Sequence, residues 1–203
     1  MKPECLSPLF GLVLGGGKSR RMGKSKMHIC YHEVPQGLYC ANLLSERCQS
    51  VFLSIRSDQK EEVAEWKTPC IEDCWDDSGP MGGILSAFRH RNDAAWLAIS
   101  CDMPFVTSET LKALIRARSI SRMVTAYTLK PGFPEPFPTI YEASCGVEMQ
   151  KCYKSGNYSL TSFIISAGFD PVEVSNPIEL VNINTQEEYQ AALQRLHKKS
   201  SSS

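Results

Sequence analysis

The sequence has no net charge and no long apolar run. Its 203 residues include 22 Lys and Arg against 22 Asp and Glu, so no overall field attracts nucleic acid or an anionic membrane. No stretch approaches the roughly 18 apolar residues of a membrane span, and the first ten residues, MKPECLSPLF, carry no signal-peptide core. We therefore expect a cytoplasmic protein that binds neither nucleic acid nor membrane.

The sequence also lacks the spacings of zinc sites and disulfide frameworks. Its nine cysteines include no Cys-x-x-Cys pair, their number is odd, and the four histidines are scattered. Such a pattern argues against a structural metal and against secretion. Most of these thiols are predicted to be reduced, small core residues.

Short apolar runs alternate with helical patterns through the first 120 residues. Strands are predicted at 9–14, 50–55 and 94–102, with a further strand that ends at Asp73. Helical patterns, among them QKEEVAEW, separate them. This alternation is typical of a three-layer α/β/α fold with a doubly wound, mainly parallel sheet. We expect a single domain over residues 1–197 and a disordered tail at 198–203.

The pattern changes after residue 120. A strand is predicted at 122–129, followed by an extended loop at 130–138, because the stretch KPGFPEPFP holds four prolines. The run ELVNIN (179–184) predicts another strand. The last helix should follow it, with Thr185 as its N-cap.

Glycines, basic residues and carboxylates meet at one predicted edge. Ligands of such sheets bind at the carboxyl ends of the strands. Here those ends hold Gly15–Gly17, Arg56, Asp73, Asp102 and Asn182–Asn184. From the residues alone, each of the two carboxylates could equally cap a turn, and the asparagines could simply hold the turn before the last helix.

The stretch GLVLGGGKSRRMGKSK (11–26) concentrates glycine and positive charge behind an apolar run. A dinucleotide-binding fingerprint that starts at Gly15 needs a glycine where Arg20 stands, and a P-loop needs one where Lys18 stands. Both templates fail on spacing. A Gly-rich turn with a solvated basic face therefore remains possible from these residues alone.

The same loop resembles the signature L-A-G-G-x-[SA]-x-R-M-G-x-D-K of nucleotidyltransferases with a glycosyltransferase-A-like fold. Gly15 stands in place of the alanine and Ser25 in place of the aspartate. The stretches IEDCWDDSGPMGGILSAF and LAISCDMPFV resemble two further segments of these enzymes. PFPTIYE and ELVNINTQEEY resemble one branch, the molybdenum cofactor guanylyltransferases. The resemblance spans about residues 9–193.

The resemblance implies transfer of GMP from GTP to molybdopterin with Mg²⁺, and transient contacts with other proteins of molybdenum cofactor biosynthesis. It implies catalytic roles for Arg21, Lys26 and Asp102, and a metal site at Asp102 and Asn184. Pro138 and Asn182 would lie on the acceptor side. The implied nucleotide contacts are Leu14, Gly15, Gly16, Gly17, Lys26, Asp73, Gly79, Gly82 and Asp102.

Two alternatives remain open at this stage. The fold also transfers cytidylyl, uridylyl or adenylyl groups to other acceptors, and the base preference is not legible in the sequence. A nucleotide-binding protein without turnover is the other alternative. Its support is Ser25, because loss of the acid beside Lys26 could alter the position of that lysine.

Overall fold

The computed structural model describes residues 6–15, 25–75 and 79–200. Within these residues the chain forms one seven-stranded sheet with the order β3-β2-β1-β4-β6-β5-β7. The strands are β1 (Leu9–Leu14), β2 (Val51–Ile55), β3 (Cys70–Glu72), β4 (Ala95–Ser100), β5 (Val124–Lys130), β6 (Phe133–Tyr141) and β7 (Phe169–Glu173). The predicted strands at 9–14, 50–55, 94–102 and 122–129 all lie in this sheet.

Strands β1 to β4 are parallel to one another. Leu14 lies beside Ser54 of β2 and Ser100 of β4, and β3 pairs with β2 in the same direction. Their side chains are almost continuously buried, as expected for strands covered on both faces. The prediction of an α/β fold with a mainly parallel sheet is confirmed. The carboxyl ends of the four strands therefore meet at one edge.

Helices follow the strands and cover the sheet. They are α1 (Gln36–Ser45), α2 (Pro80–His90), α3 (Ser108–Ala117), α4 (Cys145–Lys154), α5 (Leu160–Ala167) and α6 (Gln186–Ser200). Helix α1 packs on β1 and β2, whereas α2 packs on β1 to β3 and against α4. Thr107 caps α3, because its hydroxyl accepts the backbone N–H of Thr110. In the described part of the chain, no helix combines the length and apolar character needed to cross a membrane.

The proline-rich segment is a strand, so the prediction of a loop at 130–138 is wrong. Strand β6 pairs antiparallel with both β4 and β5. Between the pairs Ala126–Thr139 and Thr128–Pro134, β6 holds four residues against one on β5. This bulge accommodates Pro136 and Pro138, whose missing N–H groups would otherwise leave gaps in a regular ladder.

Two further predictions of local structure need correction, and one strand was not predicted. The predicted helix QKEEVAEW consists of two 3-10 segments, Ser57–Gln59 and Glu61–Trp66, which bury little more than Gln59 and Val63. The predicted strand at 179–184 is instead a 3-10 turn (Pro177–Leu180) followed by irregular chain. The real strand in this region is β7. Its sequence FDPVE is polar and contains proline, and it lies at the edge of the sheet, where proline is tolerated.

Candidate active site

Asp102 follows the carboxyl end of β4 and meets two side chains from distant parts of the chain. The Lys26 ammonium donates to Asp102 Oδ2 over 2.7 Å and to Asn184 Oδ1 over 3.0 Å. The side chain of Asp102 is 15% exposed and that of Lys26 is 26% exposed. Water therefore screens this ion pair less than a pair on the open surface. Three of the residues predicted to act on phosphate and metal are thus in direct contact.

The backbone fixes the Asn182–Asn184 segment beside Asp102. The N–H of Ile183 donates to the Asp102 carbonyl over 2.8 Å, and the Ile183 side chain is buried with Ile29, Tyr31 and Ala192. Asn182 and Asn184, on either side of it, are exposed. This backbone bond attaches the segment to the loop after β4.

A capping box fixes the chain after Asn184. The Glu188 carboxylate accepts the N–H groups of Asn184 (2.7 Å) and Thr185 (3.0 Å), and the Thr185 hydroxyl accepts the N–H of Glu188. The prediction that Thr185 caps the last helix is confirmed. Asn184 is therefore held on a rigid helix terminus, which restricts where its amide oxygen can lie.

The oxygens at this site fit a magnesium ion. Asp102 Oδ1 is buried and has no hydrogen-bond partner among the described residues, although a buried carboxylate oxygen is costly without one. Mg²⁺ prefers a few hard protein oxygens together with phosphate and water. Asp102 and Asn184 provide such a pair. No group of three or more His, Cys, Asp or Glu suited to a metal occurs in the part of the chain that the structure describes.

Asp73 follows β3 and has a different environment. Its Oδ1 accepts a 2.7 Å hydrogen bond from the hydroxyl of Ser54. Burial raises the pKa of Asp73 to about 6, against the smaller opposing effects of the Ser54 hydrogen bond and the positive charge of Arg56. The carboxylate is thus close to its titration range near neutral pH. Such a group at the carboxyl end of a strand is a candidate for ligand contact.

Glycines permit close packing at this edge. A Cβ at Gly15 would overlap the buried side chain of Met27, and one at Gly83 would overlap Ser54 Oγ and Leu14. Gly79, directly before α2, has a φ of 56°, a conformation that glycine adopts readily. Gly82 lies in the first turn of α2, and its carbonyl accepts the Ser86 hydroxyl.

The remaining predicted residues lie at or near the same edge. Leu14 ends β1, and the N–H of Gly15 donates to the Ser54 carbonyl over 3.3 Å. Pro138 is buried in β6 and directly precedes Thr139, which pairs with Ala98 of β4. Arg56 forms an ion pair with Asp58. Three of the predicted residues, Gly16, Gly17 and Arg21, lie outside the described residues.

Ser25 is held by a contact within this protein. Gln59, which is buried, donates to the Ser25 hydroxyl over 3.2 Å. Lys26 directly after it reaches Asp102 and Asn184. The serine in place of an acid therefore leaves the lysine directed into the site.

The sequence matches the model of the MobA-like NTP transferase domain over residues 11–170. The chain belongs to this family. It is an enzyme, a nucleotidyltransferase, and the contacts between Lys26, Asp102 and Asn184 lie at the carboxyl edge of its sheet.

Two curated proteins are similar to the nucleotidyltransferase along most of its length. A molybdenum cofactor biosynthesis bifunctional protein from Synechocystis is 34% identical over 184 residues, which cover 90% of this chain and 53% of that protein. The chain thus spans about half the length of this relative. A probable molybdenum cofactor guanylyltransferase from Clostridium perfringens is 26% identical and covers 90% of this chain and 95% of its own.

A solved structure shows the same fold. The molybdopterin-guanine dinucleotide biosynthesis protein A from Archaeoglobus fulgidus superposes with a TM-score of 0.78 at 21% identity, covering 93% of this chain and 99% of that one. The fold of this chain is therefore one found in a solved protein.

Sequence reasoning missed Ser54 and the role of Ile183. Ser54 is a fully buried serine in an otherwise apolar strand, VFLSI, and a polar residue at such a position was an available signal. The backbone bond of Ile183 left no signal, because it joins segments about 80 residues apart in a manner that no local pattern encodes.

Proposed function

We propose that this nucleotidyltransferase transfers GMP from GTP to molybdopterin, with Mg²⁺, and forms molybdopterin guanine dinucleotide and pyrophosphate. The contacts of Lys26 with Asp102 and Asn184 carry the proposal, because they join a cation and two metal-binding oxygens where phosphates would lie. The names of the relatives from Synechocystis and Clostridium perfringens support the choice of acceptor. The enzyme would act in the cytoplasm, in transient contact with other proteins of the same biosynthesis.

The reaction needs positioning and neutralisation of charge rather than a nucleophilic side chain. A terminal phosphate oxygen of molybdopterin attacks the α-phosphorus of GTP and forms a new P–O bond. The bond between the α-phosphorus and its bridging oxygen breaks, and pyrophosphate leaves with the electron pair. Because the attacking phosphate is already anionic near neutral pH, no general base is required.

Asp102 and Asn184 would hold the ion, which supplies charge neutralisation on the phosphates when bound. Lys26 has three N–H donors, of which two bind Asp102 and Asn184 in this structure. The third can be donated to a phosphate oxygen. Arg21 and the amides of Gly16 and Gly17 would add positive potential to the departing pyrophosphate.

The base and the acceptor would bind on opposite sides of the phosphates. Asp73, Gly79 and Gly82 lie toward β3 and the start of α2, where a carboxylate can accept N–H groups of guanine. Leu14 and Gly15 would contact the nucleoside, between the base side and the acceptor side. Pro138 and Asn182 lie beyond β4 and would contact molybdopterin.

The direct test is an assay with purified protein, molybdopterin, Mg²⁺ and each of the four nucleoside triphosphates. GTP should give equal amounts of pyrophosphate and dinucleotide, the latter identified by mass. Omission of molybdopterin or of Mg²⁺ should abolish both products. Faster product formation from CTP would assign the chain to the cytidylyl transferases, and nucleotide binding without any product would contradict the proposed enzyme activity.

A further inference from the structure

Ser54 is an unusual residue for its position. It lies near the end of β2, between Leu53 and Ile55, and its exposure is 0%. A buried hydroxyl costs free energy unless it forms a hydrogen bond. Alanine would occupy such a site in an apolar strand without that cost. The contacts of the hydroxyl must therefore explain the serine.

Two contacts connect Ser54 to the chain after each neighbouring strand, β3 and β1. Its hydroxyl donates to Asp73 Oδ1 over 2.7 Å, and its carbonyl accepts the N–H of Gly15. Helix α2 approaches the same hydroxyl so closely that a Cβ at Gly83 would overlap it. The hydroxyl is thus enclosed by β1, β3 and α2 and has a fixed direction.

We propose that Ser54 is a positioning residue, which orients the Asp73 carboxylate and keeps it ionised so that it can accept N–H donors of the nucleotide base. The inference rests on the proposed function, since it assigns Asp73 to the base. Asp73 Oδ2 receives no hydrogen bond from the residues that the structure describes, and it is the oxygen available to the base. A base with adjacent N–H donors, as in guanine, suits an acceptor of this kind.

The groups around Asp73 indicate that Ser54 is the residue that keeps its carboxylate ionised. Burial raises its pKa to about 6, and only the Ser54 hydrogen bond and the charge of Arg56 oppose that rise. Arg56 is already paired with Asp58. Leu14 on β1 and Gly83 on α2, which lie beside the Ser54 hydroxyl, carry no charge. Without the hydroxyl, a larger share of Asp73 would be protonated near neutral pH and would no longer accept from the base.

The test measures GTP affinity by calorimetry between pH 6 and pH 8.5 for the wild type and Ser54→Ala. At pH 8.5 the variant should bind within about threefold of the wild type, because Asp73 is ionised in both. As the pH falls, its affinity should be lost earlier, with the midpoint displaced upward by about one pH unit, since hydrogen bonds to charged acceptors are the stronger ones. At pH 6.5 this displacement alone should weaken binding by about a further threefold relative to the wild type.

Two controls separate the possible causes. Ser86→Ala removes another buried serine hydroxyl, one that bonds Gly82 and Cys74 rather than a carboxylate, and any effect on affinity should not depend on pH. Asp73→Asn should weaken GTP binding and lose this pH dependence, while the titration of the GTP phosphates remains common to all variants.

The results distinguish the inference from the proposed function. If Ser54→Ala weakens binding equally at every pH, or leaves it unchanged, while Asp73→Asn weakens it, the role of Ser54 is overturned and that of Asp73 stands. If Asp73→Asn binds GTP as the wild type does, the base contact in the proposed function is wrong, and the role of Ser54 is overturned with it.

Discussion

Two carboxylates lie at the same edge of the sheet, Asp102 after β4 and Asp73 after β3, and their surroundings differ. Asp102 has a cation and an amide beside it, Lys26 and Asn184. Asp73 has a neutral hydroxyl and is depleted of water, so that its pKa is raised to about 6. Strands β2 and β1 lie between them in the sheet. At about 4.8 Å per strand, the two ends are about 14 Å apart.

This difference shows how one edge can serve two kinds of contact. A carboxylate with a cationic partner and an unpartnered oxygen is suited to metal and phosphate, whose charges it balances. A carboxylate in an apolar setting, held by a hydroxyl, is suited to neutral N–H donors, which it can accept without competing charges. A ligand that touches both must cross β1 and β2, as a nucleoside triphosphate in the proposed orientation does.

The largest expected effect comes from removal of the charge at the first carboxylate. Asp102→Asn should lower the rate of GMP transfer by about 10²-fold or more, comparable to the loss of one preorganised electrostatic group. Because the side chain keeps its size, the melting temperature without nucleotide should be nearly unchanged. Pyrophosphate release measures the rate of transfer, and thermal unfolding measures the melting temperature. A loss of about 1 kcal/mol of folding stability with unchanged turnover would indicate a turn-capping role instead.

Lys26→Met should have the next largest effect, a loss of transfer of about tenfold to a hundredfold. The variant keeps most of the length of the side chain and removes the charge that the proposed function places opposite the phosphates. Lys151→Met is a matched control, since Lys151 forms an ion pair of the same 2.7 Å length with Glu148 on α4. The control should retain its activity, and a similar loss in both variants would mean that Lys26 has no special role.

A smaller effect concerns folding stability and the second carboxylate. The pKa of Asp73 in the folded protein, about 6, exceeds its ordinary value of about 3.9. The folded state therefore binds the proton more tightly, and this group lowers the stability as the pH rises from about 4 to 6. The variant Asp73→Asn has no carboxylate to titrate and should not lose stability in this way.

The difference in free energy of unfolding between Asp73→Asn and the wild type should thus shift in favour of the variant between pH 4 and pH 6 and stay constant above. Urea unfolding without nucleotide, at several pH values, measures it. A difference that does not vary over this range would show that burial does not affect the carboxylate.

The sequence predicted the elements that local patterns encode. The apolar runs of β1, β2 and β4 placed their carboxyl ends at one edge, and the N-cap Thr185 was legible from residue type. The strand β6 was not predicted, because its prolines are compatible with a strand only where a bulge forms. That bulge depends on the pairing of β6 with its neighbours β4 and β5. The edge strand β7 is too polar to be recognised.

The sequence singled out candidate residues of the site but not their contacts. The strand ends and the resemblance pointed to Asp73, Asp102 and Asn184, whose roles stay predictions. The bond from Ile183 to Asp102 and the enclosure of Ser54 by Gly83 depend on how distant segments pack. Neither leaves a pattern in the local sequence.

The central claim is that one carboxylate binds metal and phosphate and the other binds the base. The most direct test measures the affinities of Asp102→Asn and Asp73→Asn for GTP and ATP, each with and without Mg²⁺. Asp102→Asn should keep its preference for GTP over ATP and lose the strengthening by Mg²⁺. Asp73→Asn should keep the strengthening by Mg²⁺ and lose most of the preference for GTP. The division of roles between the two carboxylates is wrong if a single variant loses both the preference for GTP and the strengthening by Mg²⁺. It is also wrong if both variants keep both properties.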